Sequence, residues 1–244
     1  MLTRKTTLIA LAAMMASRSV AAQEPIIAER PGFSSSPFAL APSMFQIESG
    51  YQYTRETGSV DDHTLPLALL RIGLVERVEL QFGWPGITWR QAGGQDTHGT
   101  HDLNIGVKWQ TNGQDARVPL ALFAGLNLPT GDNQFGGDGI DPTVGAFWSL
   151  DYGMDWFGTA LLRLVDSELV LGNAVGVSLP VSPAISSYLE YFGIYGTGGG
   201  PHHFMNGGFA YLLRNDLQLD LHLGAGLNDR AADFFLGFGV AYRF

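Results

Sequence analysis

Ten ionisable residues fall on one parity of successive strand-like segments: Glu48, Arg71, Glu79, Asp102, Lys108, Arg163, Glu190, Asp220, His222 and Arg243. Tyr188 and Phe192 share the parity of Glu190 and add aromatic surface to the same face. Charges of both signs on one surface do one of two things. They pair across neighbouring strands as structural clusters, or they line a constriction that selects solutes. Buried charge is tolerated when partnered, so pairing is the expectation for any single member. Arg71 and Glu79 flank one tight turn and are expected to pair.

Other chemistry finds less support. His98 and His101 beside Asp102, and the adjacent His202 and His203, have metal-site spacing. A bound metal needs three or four converging ligands, and none is indicated. Asp132, Asp138 and Asp141 share a Gly-rich stretch without the alternating ligands of a calcium loop. Neither a metal nor a cofactor is expected. There is no cysteine, so there is no thiol chemistry. No Gly-x-Ser-x-Gly elbow is present, and no serine stands with a histidine and an orienting group. An enzyme is not expected.

The elements that position these residues are twelve strand-like segments. They run Phe45–Thr54, Thr64–Leu74, Val78–Trp84, Thr100–Trp109, Val118–Leu128 and Thr143–Leu150, then Asp155–Leu164, Leu169–Leu179, Ala184–Tyr195, His203–Leu213, Leu217–Leu227 and Phe234–Phe244. Alternation of apolar and polar residues is clearest in the last two. Leu217, Leu219, Leu221 and Leu223 oppose Gln218, Asp220, His222 and Gly224. Phe234, Leu236, Phe238, Val240, Tyr242 and Phe244 oppose Phe235, Gly237, Gly239, Ala241 and Arg243. The parity of Leu169–Leu179 is open, because both faces are apolar or small. A soluble sandwich has no need of an aromatic terminal strand, whereas a membrane barrel sets the apolar face against lipid. That strand also resembles the C-terminal signal read by bacterial barrel-assembly machinery.

Connections are short on one side, as at Val75-Glu76-Arg77 and Arg214-Asn215-Asp216. They are longer on the other, as at Trp89–Gly99, Pro129–Asp141 and Gly196–His202. Short turns face the periplasm in outer-membrane barrels, and an even strand count puts both termini there. Residues 1–22 read as a secretory signal, with Arg4 and Lys5, an apolar run from Leu8 to Met15, and Val20-Ala21-Ala22 before the cut. Cleavage after Ala21 fits nearly as well. Residues 23–43 form a lead-in carrying Pro25, Pro31, Pro37 and Pro42. It either lies as a periplasmic tail or enters the lumen as a plug, with Arg30 meeting an inward carboxylate. Residues 44–244 form the barrel. The formal net charge of −9 argues against nucleic acid as a partner.

The chain resembles the family of outer-membrane transporters labelled as the meta-pathway of phenol degradation. The likeness runs through Glu29-Arg30-Pro31-Gly32-Phe33-Ser34, Phe45-Gln46-Ile47-Glu48-Ser49-Gly50-Tyr51 and Leu70-Arg71-Ile72-Gly73-Leu74 with Arg77-Val78-Glu79-Leu80. It continues through Leu128-Pro129-Thr130-Gly131-Asp132, Glu190-Tyr191, Asn215-Asp216-Leu217-Gln218-Leu219-Asp220 and Gly226-Leu227-Asn228. The resemblance implies a membrane barrel and passage of aromatic compounds. It supplies neither a substrate nor a catalytic residue.

The expectation is an all-β, twelve-stranded antiparallel barrel in the outer membrane of a Gram-negative bacterium. It contacts lipid, is inserted through its strand ending at Phe244, and passes small molecules, aromatic or otherwise hydrophobic. The alternatives are a structural barrel without an open pore and a lipid-modifying enzyme with a rim site.

Overall fold

The computed structural model describes residues 24–165, 168–196 and 200–244. The expected signal, residues 1–22, lies outside them. Fifteen strands form one antiparallel sheet: β1 (Phe45–Glu56), β2 (Val60–Leu65), β3 (Ala68–Val75), β4 (Val78–Trp84), β5 (Ile87–Ala92), β6 (Gln95–Thr100), β7 (Leu103–Gln110), β8 (Leu120–Leu128), β9 (Asp141–Asp151), β10 (Asp155–Val165), β11 (Glu168–Ser182), β12 (Ile185–Tyr195), β13 (His202–Arg214), β14 (Leu217–Gly226) and β15 (Phe234–Arg243). The sheet closes on itself. β15 pairs with β1 from Gln46↔Arg243 to Arg55↔Phe234. Closure leaves each stave a neighbour on both sides, which is what a sheet without water around it requires.

Three staves are interrupted. β2 gives way to β3 at Pro66-Leu67, β4 to β5 at Pro85-Gly86, and β6 to β7 at His101-Asp102. The breaks lie side by side, since His101 N–H donates to the Gly86 carbonyl. Counted as single staves, these three bring the barrel to twelve strands. One expectation is corrected here. Trp89–Gly99 is not an open loop but the hairpin of β5 and β6, with Ala92 paired to Gln95. Its turn, Gly93-Gly94, has positive φ at both residues, the geometry of a two-residue hairpin. The hairpin lacks apolar alternation: past Trp89 it carries Arg90, Gln91, Gln95, Asp96, Thr97 and His98, and its inner side packs on Phe135 of the following loop.

Outside, large apolar side chains form a continuous exposed girdle. Leu219, Leu221 and Leu223 of β14 lie beside Leu236, Phe238 and Val240 of β15. Such a surface is tolerated when hydrocarbon covers it. Tyrosines mark the girdle's far edge. Tyr51 bonds His63 at 2.7 Å, and Tyr191 bonds His203 at 2.6 Å. These amphipathic rings suit a membrane–water boundary. Within β11 the parity is settled. Leu169, Leu171, Val175 and Leu179 are exposed, while Gly172, Ala174 and Gly176 are buried inside.

Both termini of the barrel wall lie at one end. The turns there are short, as at Glu76-Arg77, Pro183-Ala184 and Asn215-Asp216; residues 111–119 make the longer exception. The far end carries loops 129–140 and 227–233. Asp102 organises the first. Its carboxylate accepts from the backbone N–H of Thr130, Gly131 and Gly137 at 2.7–3.0 Å and from the Asn127 amide at 2.8 Å. Burial pushes this carboxyl up, but the four donors outweigh it and hold its pKa below the usual carboxylate range. A carboxyl depressed in the folded state contributes stability that is present above its unfolded value and lost as pH falls through the folded one. Hydrogen exchange of residues 129–140, corrected for the intrinsic rate, is therefore expected to stay slow at pH 6 and accelerate below about pH 4. Asp102→Asn is expected to remove that pH dependence.

Candidate functional site: an occupied lumen

The lead-in runs inside the barrel. Ile26 N–H donates to the Asn215 carbonyl at the terminal end. The chain then rises past β1 and β14, reaches β12 at Phe33 and β10 at Ser35, and returns along β7, β4 and β3 to enter β1. A proline-rich segment has no ladder of its own, yet its buried N–H groups need acceptors. The wall supplies them from side chains. Glu48 accepts from Glu29 and Arg30 N–H at 3.0–3.1 Å. Glu190 accepts from Phe33 and Ser34 N–H, both at 2.8 Å. Gln110 takes Ala39 N–H, and Glu79 takes Leu40 N–H at 2.8 Å.

At the centre is a buried charge cluster built from four neighbouring staves. Glu48, Arg71, Glu79 and Lys108 come from β1, β3, β4 and β7, and the lead-in adds Glu29. Arg71 and Glu79 pair through two bonds, Nε–Oε1 at 3.0 Å and Nη2–Oε2 at 2.8 Å, as their placement across one turn predicts. The same guanidinium contacts Glu29 at 3.1 Å and donates to the carbonyls of Ile27 and Phe38 at 2.8 and 3.2 Å. It therefore ties the rising and returning arms of the lead-in to one wall position. Lys108 Nζ bonds Glu29 and lies 5.3 Å from the centre of the Phe147 ring.

Arg30 meets its carboxylate in Asp220, through bonds of 3.1 and 3.2 Å. Its guanidinium rests on two wall glycines, Gly50 and Gly239, which are paired in the β1–β15 register. A Cβ on either would come within 2.3–2.5 Å of it. Gly239→Val is expected to force this flexible head group out of its slot rather than to block barrel closure. Asp220 then loses its cation. The expected readout is proteinase K cleavage within residues 23–43 while the barrel stays intact; wild-type resistance would contradict it.

The remaining inward residues divide by position. Arg243 secures the start of the lead-in by donating to the Glu24 and Asn215 carbonyls. Arg163 faces inward with no carboxylate partner among the described residues, its Nε–H donating to Thr143 Oγ1 at 3.3 Å beside a cavity of about 180 Å³. Tyr188 lines a terminal-side cavity of about 390 Å³, and His222 and Phe192 line a far-side cavity of about 360 Å³. Pro31 and Gly32 border both cavities, so the lead-in forms the partition between them. The residues singled out from the sequence left out three rings of the far cavity. Phe204 and Phe235 join Phe192 in one buried aromatic cluster, and the half-buried Phe33 packs against it. The available signal was parity, since Phe204 and Phe235 fall on the inward side of their strands.

A closed twelve-stranded sheet with a lipid-facing girdle and a polar interior defines a transmembrane β-barrel of the bacterial outer membrane. The chain belongs to the family described as "Putative MetA-pathway of phenol degradation", whose model matches residues 28–244. It is similar in structure to the COG4313 outer membrane channel from Pseudomonas putida F1, with a TM-score of 0.66 and 16% identity, over 88% of this chain and 99% of that one. It is also similar to the NanC porin, with a TM-score of 0.55 and 8% identity over 81% and 98% of the two chains. The translocator domain of autotransporter NalP from Neisseria meningitidis gives 0.53 and 11% over 84% and 90%. At these identities the likeness is one of fold. No curated protein matches the sequence significantly.

Proposed function

We propose that the protein is a passive outer-membrane channel for small molecules, with aromatic or otherwise hydrophobic compounds as its solutes, and that it is not an enzyme. The observation that carries this reading is the pair of cavities, about 390 and 360 Å³, stacked along the lumen and parted by Pro31-Gly32. A solute that enters either end needs only a shift of this partition to reach the other. The clamps on the lead-in, at Arg30, Arg71 and Glu190, set the energy of that shift. The terminal end faces the periplasm in this reading, and the strand ending at Phe244 is the contact for the barrel-assembly machinery. The family's description and the names of the similar channel and porin support the reading.

Single-channel recording in a planar bilayer tests it. The folded chain is expected to show a small steady current that falls when an uncharged aromatic solute is added. A folded chain that stays silent, with and without residues 23–43, would contradict the proposal.

A further inference from the structure

We infer that the side cavity at Arg163 is a binding site for a small monocarboxylate. The inference goes beyond the channel reading and holds whether or not the barrel conducts.

Arg163 is set apart by its partners. Arg30, Arg71, Arg90 and Lys108 also face the lumen, and each pairs with a carboxylate. Arg243 is taken by two backbone carbonyls. Arg163 has neither among the described residues. Its head group is nevertheless oriented. Nε–H donates to Thr143 Oγ1 at 3.3 Å, across the β9–β10 register in which the two residues are paired. A guanidinium held by its Nε keeps its outer edge free, where two parallel N–H groups match the two oxygens of a carboxylate. Arg163 is exposed within the barrel and borders the cavity, so that edge is open to a solute.

The rest of the cavity suits the same ligand. The Asn104 amide and the Ser35 hydroxyl border it, and both residues are half-buried. Each carries hydrogens that a carboxylate oxygen can accept. Asn104 lies flat across its register partner Gly83, where an added Cβ would come within 2.1 Å of the amide. Ser35 is held by its backbone N–H, which donates to Thr159 Oγ1 at 3.3 Å. Below these groups Phe123 and Phe147 make an apolar floor, with ring centroids 5.9 Å apart. A few placed polar groups over an apolar floor are the make-up of a small-molecule site. The cavity measures about 180 Å³, and one of about 150 Å³ holds benzene. A short acid with an alkyl body therefore fits. Two carboxylates stand toward the far end, Asp102 and Asp141. Neither pairs with Arg163. The first is turned into loop 129–140, where it accepts its four donors, and the second is buried. Their charges weigh twice against a dianion, which limits the ligand to one negative charge.

Methylglyoxal, which condenses with free guanidinium groups, tests the site on the full mature chain in lipid nanodiscs. Peptide mass mapping reads the rate at Arg163 and at Arg77, whose side chain is 45% exposed at the terminal end. Sodium chloride is replaced stepwise by sodium propionate, so the ionic strength stays constant. Propionate is expected to slow the modification of Arg163 saturably, by about tenfold or more, and to leave Arg77 unchanged. Propionamide has the same shape without the charge, and is expected to need about tenfold more for equal protection, the worth of a charge-assisted pair. Asn104→Leu should raise the propionate needed for half-protection several-fold while Arg163 stays reactive. Heat-modifiable gel migration verifies that the variant is folded. Equal protection by propionamide, no slowing by propionate, slowing of Arg163 and Arg77 alike, a folded Asn104→Leu with unaltered protection, or an Arg163 that methylglyoxal does not reach would each overturn the site.

Discussion

Deleting residues 23–43 is expected to leave a folded barrel and to raise its single-channel conductance several-fold. The wall needs no help from the lead-in to close, because β1 and β15 pair directly along ten residue positions. What the deletion removes is the partition at Pro31-Gly32 and the ring of Phe33. It also uncovers Glu48, Glu79, Glu190 and Asp220, whose lead-in partners are gone. Water replaces those partners, so the cost is below that of a charge stranded in a dry interior. Four carboxylates then share the middle of the lumen with Arg71 and Lys108, and the enlarged current is expected to be cation-selective. Bilayer recordings with a salt gradient read both effects. An unaltered conductance, or anion selectivity, would contradict the prediction.

Arg71→Met is expected to be the most damaging single substitution in the wall. Its guanidinium joins Glu79, Glu29 and Glu48, and holds two carbonyls of the lead-in. Methionine fills much of the same volume but leaves three buried carboxylates around Lys108 alone. Breaking a buried pair in this way costs about 3–5 kcal/mol. The midpoint of urea unfolding in lipid vesicles should fall accordingly. Adding Glu79→Gln should recover part of the loss, because it removes a charge left uncompensated while keeping hydrogen-bonding capacity. A double variant no better than the single one would show that the cluster is not held by charge pairing.

The staves were legible because lipid imposes period-two alternation on every strand that crosses it. Leu219, Leu221 and Leu223 against Gln218, Asp220 and His222 could belong to little else. Where lipid is absent, the signal fades. Trp89–Gly99 has no apolar face, and only the Gly93-Gly94 pair announced its hairpin. The parity of β11 was hidden for another reason. Its inward positions are Gly172, Ala174 and Gly176, small because Phe33 and Phe157 pack against that wall. The ionisable set was legible as inward, but its partners were not. That Arg30 meets Asp220, and not another carboxylate, depends on the β1–β15–β14 register and on the glycine slot. The aromatic cluster was missed because Phe235 was grouped with its small neighbours, although its parity put it inside. The lead-in's path was beyond the sequence, since its acceptors come from six different strands.

The most direct test of the occupied lumen uses the absence of cysteine from the sequence. Ser34→Cys is nearly isosteric, and the Ser34 hydroxyl is buried inside the barrel. Thr57→Cys places a thiol in the exposed turn between β1 and β2. Labelling rates of the two single-cysteine chains with a charged maleimide, in detergent that leaves both barrel ends open, measure where the lead-in resides. The account predicts that Ser34→Cys reacts at least tenfold more slowly, on the order of one hydrogen-bonded clamp opening, and that it catches up once urea unfolds the barrel. Equal rates in the folded protein would place residues 23–43 outside the lumen and contradict it.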